Sequence, residues 1–96
     1  MIKHVVLAKF KPGVTMEQIA ELRKSMGALP GRIPEIRGYD FGLDVRPEKT
    51  VDFALVATLQ DMAAVKRYLV HPDHAAVGKF IRSLCESLQV VDFEYE

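Results

Sequence analysis

Tyr68-Leu69-Val70-His71-Pro72-Asp73-His74 is the stretch on which the reading turns: one helical pattern runs into it, a proline resets the backbone, and another helical pattern runs out. Proline has no amide hydrogen and pushes the preceding residue out of the α region, so His71 is expected as a boundary and Pro72 as a first-turn residue of a new helix. In one unbroken helix Tyr68 and His74 would lie roughly 240° apart around the axis and face different ways. Two short helices meeting at an angle can direct both at one spot. The same residues also suit a plain structural role. Tyr68 is then a core residue with its hydroxyl at the rim, and His71, Asp73 and His74 are polar caps on a helix start.

Upstream, Asp61 is placed to cap a helix carrying Met62, Val65, Tyr68 and Leu69. Downstream, Val77, Phe80, Ile81, Leu84, Cys85 and Leu88 fall near one helical face, and Gly78 suggests tight packing. Residues 89 to 95 then alternate as a strand with Val91, Phe93 and Tyr95 on one side. Further upstream, residues 51 to 60 alternate as a strand with an apolar centre on both sides, and residues 35 to 44 form a weaker, glycine-containing strand. The polar Arg46-Pro47-Glu48-Lys49 links the two. At the start of the chain, residues 2 to 11 alternate, with Ile2, His4, Val6, Ala8 and Phe10 on one side and Lys3, Val5, Leu7, Lys9 and Lys11 on the other. Pro12-Gly13 ends that strand. Thr15 and Gln18 fit a capping box, and Ile19, Leu22, Met26 and Leu29 mark a helix running to about Leu29.

The order is strand, helix, strand, strand, split helix, strand over a single domain, residues 1 to 96. This is the ferredoxin-like α+β pattern, a two-layer sandwich with an antiparallel four-stranded sheet and both helical segments on one face. Helices cover only one face, yet the first and third strands are apolar at their centres on both. The open face therefore predicts a homodimer, packed sheet to sheet as an isologous pair.

Thirteen basic and thirteen acidic residues cancel, so no global field recruits nucleic acid or an anionic membrane surface. No run approaches the ~20 apolar residues of a membrane span, and the lysine-interrupted N-terminus does not read as a signal peptide. The single cysteine, Cys85, has no partner for an internal disulfide. That fits a reducing, cytoplasmic location. His71, Asp73 and His74 as a zinc set is the weak reading: three adjacent ligands at a helix start rarely converge, and no further cluster supports them. Neither a metal nor a cofactor is expected.

Three stretches resemble the stress-responsive A/B barrel (Dabb) family. Ile2-Lys3-His4-Val5-Val6-Leu7-Ala8-Lys9-Phe10-Lys11 is similar to its first strand, Phe41-Gly42-Leu43-Asp44-Val45 to its second-strand signature, and the Tyr68 to His74 stretch to its strongest motif. The resemblance spans essentially the whole chain and implies a protomer that pairs into a dimeric α/β barrel. It implies a small organic ligand between sheet and helices, near His4, Val6, Ala8 and His71. In a polyketide-cyclase branch of the family, a linear poly-β-keto chain is closed by intramolecular aldol condensation. The working residues there resemble Tyr68 and His74, with a histidine at the place of His4. A base near ~6.5 and a phenol near ~10 suit that chemistry, His74 taking the proton and Tyr68 holding the enolate oxygen. Similarity of fold to antibiotic monooxygenases adds a cofactor-free oxygenase as a further expectation, without a motif behind it.

Overall fold

The computed structural model describes residues 1–96. Strand β1 (Ile2–Phe10) is followed by helix α1 (Met16–Gly27), a single 3-10 turn (Leu29–Gly31), strands β2 (Gly38–Leu43) and β3 (Phe53–Leu59), helices α2 (Met62–Val70) and α3 (Pro72–Leu84), and strand β4 (Cys85–Glu94). The four strands form one antiparallel sheet in the order β2-β3-β1-β4, with the helices on one face. The ferredoxin-like pattern expected from the sequence is the one found.

Local chemistry starts the helices. Thr15 and Gln18 form the expected capping box on α1, and Asp61 accepts the Ala64 amide at 2.8 Å at the start of α2. Helix α1 stops at Gly27, short of Leu29. In a continuing helix the Pro30 ring would meet the carbonyl of Met26, so the chain tightens into the 3-10 turn instead. The end of α3 also differs from expectation. Cys85 and Leu88 share the apolar spacing of the helix, but Cys85 is extended (φ −102°, ψ 137°) and opens β4 opposite Phe10. No glycine or proline marks this change, because helix passes directly into strand. A register shift between Lys9 and Phe10 absorbs the join.

Alternation sorts the strands into two faces. Ile2, His4, Val6 and Ala8 of β1 and Phe53, Leu55, Ala57 and Leu59 of β3 are all buried beneath the helices. They belong to two apolar clusters, His4 excepted. One gathers Val6, Leu22, Met26, Phe53 and Ile81, the other Ile2, Leu29, Leu59, Val65 and Tyr68. Each large side chain so buried contributes roughly 1.5–3 kcal/mol. On the other face Val5 lies between Val56 and Val91, and Lys3 between Thr58 and Phe93. No helix covers them. No helix is long and apolar enough to cross a membrane.

Candidate active site

Helix α2 carries Tyr68 in its last turn, and His71 follows with φ −62° and ψ 133°, the extended backbone that a following proline favours. His71 ends one helix and starts the next. Its Nδ1 accepts the Asp73 amide at 3.1 Å, and Pro72 is the first residue of α3. The elbow swings His74 back over the end of α2, where its Nδ1–H donates to the carbonyl of Leu69 at 3.2 Å. The His74 and Tyr68 rings then lie 4.3 Å apart, centroid to centroid.

Beneath them, His4 projects from β1, 3 % exposed, with its ring 5.7 Å from that of Tyr68 and nearly edge-on. Asp92, its cross-strand partner on β4, accepts from His4 Nδ1 at 2.5 Å. His4 and His74 thus both donate through Nδ1, so that in the neutral ring Nε2 keeps its lone pair, whereas His71 accepts through Nδ1. The Tyr68 hydroxyl lies 3.0 Å from that of Tyr39 on β2. One phenol donates to the other, and the second proton is left to offer to a further oxygen.

These side chains line one hollow of about 260 Å³ between sheet and helices, drawing on both apolar clusters. Its exposed lining residues include Val90 on the edge strand β4, at 54 %, and Arg82 on α3, so its mouth is assigned to the side where these two lie. Burial holds the Tyr68 hydroxyl far above the ordinary phenol range, and the neighbouring Tyr39 phenol adds to this. Burial also raises Tyr39, offset in part by its hydrogen bond with Tyr68. Both stay protonated, as donors. Burial lowers His74, the Leu69 carbonyl partly opposes that, and the charges of His4, Arg82 and His71 lower it further. His74 is therefore a neutral imidazole at pH 7, able to accept a proton.

Tyr68, His74, His4 and Val6 come together here. Two other residues anticipated near a ligand do not join the lining: Ala8 is fully buried in the apolar cluster beneath α1 and α3, and His71 is occupied as the cap of α3. Asp92 and Tyr39 escaped the sequence reading, as did Arg82, which also lines the hollow. The antiparallel register pairing His4 with Asp92 was the signal for one, and alternation along β2 for another. No group of three or more His, Cys, Asp or Glu side chains is placed to share a metal ion.

The model of the stress-responsive A/B barrel domain matches residues 2–95. A stress-response A/B barrel domain-containing protein, HS1 of Arabidopsis thaliana, is 30% identical over 96 residues, which is 97% of this chain and 88% of that protein. Olivetolic acid cyclase of Cannabis sativa is 28% identical over 95 residues, 96% of this chain and 94% of the relative. Among solved structures, a dimeric protein of unknown function and ferredoxin-like fold from Bacteroides fragilis superposes with a TM-score of 0.88 at 34% identity, covering 98% of this chain and 95% of that one.

Proposed function

The chain belongs to the stress-responsive A/B barrel domain family, and from that premise we propose that its hollow binds a small organic molecule with an apolar body and at least one carbonyl or enol oxygen. One observation carries the reading: Tyr68 and His74, on different helices, place their rings 4.3 Å apart on the wall of a hollow that also holds His4 and Asp92. The remaining walls are mostly apolar, the usual make-up of a small-molecule site with a few polar groups to fix orientation. The test is calorimetric titration with 1-phenylbutane-1,3-dione, a small β-diketone. Wild type is expected to bind it, and Tyr68→Phe to bind about tenfold more weakly through the lost hydrogen bond. No binding to wild type, or equal binding to both, contradicts the reading.

A catalytic role is the second reading, favoured by the hydrogen bond that leaves His74 Nε2 unprotonated. Nε2 takes a proton from the carbon between two carbonyls, and Tyr68 donates to the enolate oxygen. The enolate carbon attacks a second carbonyl of the same molecule, a carbon–carbon bond closes the ring, and the new alkoxide recovers a proton from the imidazolium. No cofactor enters this balance. The relative named as a cyclase supports this class of reaction. His74→Ala is expected to slow closure of a linear poly-β-ketone by about 10²-fold or more. Turnover equal to wild type would remove the catalytic role.

The open sheet face is proposed to pair with a second copy, and the similar Bacteroides fragilis protein, described as dimeric, supports a homodimer. A reducing cytoplasmic location fits the single, buried and unpaired Cys85.

A further inference from the structure

His74, Gly78 and Arg82 follow one another at four-residue steps along α3, so they form one row, and all three line the hollow. Gly78 shapes that row. A Cβ built on it would stand 3.2 Å from Nη1 of Arg82 and 3.8 Å from its guanidinium carbon. The guanidinium therefore lies back across a place that an absent side chain leaves open, pointing along its own helix towards His74. It has no acidic partner within the chain. The ion pairs join His4 with Asp92, Lys9 with Glu86, Arg46 with Asp44, Arg67 with Glu35 and His71 with Asp73, and none reaches Arg82. The carboxylate in the lining, Asp92, is already held by His4. Arg82 is itself exposed, at the border of a hollow whose lining is mostly apolar, with Leu55, Val77, Ile81 and Leu88 in it. A guanidinium presents its donors as a planar fork that matches a carboxylate, and beside a partly dry wall that pairing gains in strength.

We propose that the hollow is a site for small organic carboxylates: Arg82, laid over Gly78, holds the carboxylate at the mouth while the apolar body reaches inward to Tyr68 and His74. The inference rests on the ligand-binding reading above and adds the charge of the ligand to it. Arg82 then sets specificity, and Gly78 is the residue that lets it do so. A carboxylate on Arg82 would also relieve the repulsion this cation exerts on a protonated His74, so binding and proton uptake at the imidazole favour one another.

The test uses the full chain and two matched pairs of probes, 4-phenylbutyrate with 4-phenylbutanamide and hexanoate with hexanamide, titrated calorimetrically at low and high salt. Wild type is expected to bind each acid about tenfold more tightly than its amide, with the preference shrinking at high salt. Arg82→Gln is expected to erase the preference by weakening the acids alone. Gly78→Val, whose side chain takes the guanidinium's place, is expected to do the same with Arg82 still present. Equal binding of acid and amide by wild type, or an equal loss of both in Arg82→Gln, overturns the carboxylate assignment and leaves the hollow as a ligand site. Failure of all four probes to bind wild type overturns both readings.

Discussion

His74 is half sheltered, and its imidazole carries the clearest pH signature of any side chain in the hollow. Its folded pKa lies below the value of about 6.5 expected in the unfolded chain, mainly through burial. Between those two values the unfolded state binds more protons. The stability linked to this group is therefore complete above about pH 6.5 and is lost as pH falls through the folded pKa. Acidification from pH 7.5 to 5.5 is expected to lower the Tm of wild type more than that of His74→Gln, measured by calorimetry. Equal losses would contradict the burial of this ring. The same direction applies to the proposed catalysis, where turnover is expected to rise with pH through a pKa below 6.5 and then stay level at neutrality. Tyr68 and Tyr39, held well above the ordinary phenol range, add no further pH step there.

At the scale of elements the elbow decides everything, since α2 and α3 meet at a residue that caps both. Asp61 anchors the first of these helices through its bond to the Ala64 amide. Asp61→Ala is expected to cost about 1 kcal/mol in urea unfolding, with an unchanged slope against denaturant. No change in the midpoint would show that tertiary packing alone holds the helix. This elbow was legible in the sequence because proline acts on its neighbour through sterics that no tertiary contact reverses. The capping residues Thr15 and Asp61 were legible for a similar reason, being local. The end of α3 was not legible. Leu84, Cys85 and Leu88 satisfy helical spacing and strand burial alike, and only pairing with Phe10 decides between them. Asp92 and Tyr39 belong with this second group. Alternation puts Tyr39 on a face of β2, but the place of both in the hollow is fixed by sheet register and by a hydroxyl contact 29 residues away in sequence.

The whole molecule has two apolar surfaces with different fates. One is folded inward around the hollow, and the other is the open face of the sheet, where Val91 and Phe93 are 54% and 48% exposed. Leaving such a patch in water is unfavourable, and a second copy is its simplest cover. Light scattering at micromolar concentration is expected to give twice the monomer mass for wild type, and the monomer mass when Val91 and Phe93 are both changed to Asp. A monomeric wild type would contradict the pairing. The hollow itself is assembled from all four strands and from α1, α2 and α3, so the proposed ligand binding would report on the entire fold. The most direct test is an ¹⁵N-resolved spectrum of the histidine side chains during titration with 1-phenylbutane-1,3-dione. The His74 and His4 ring nitrogens are expected to move together, while His71, outside the lining, stays in place. Stationary His4 and His74 signals, or a His71 signal that moves as far as theirs, would contradict it.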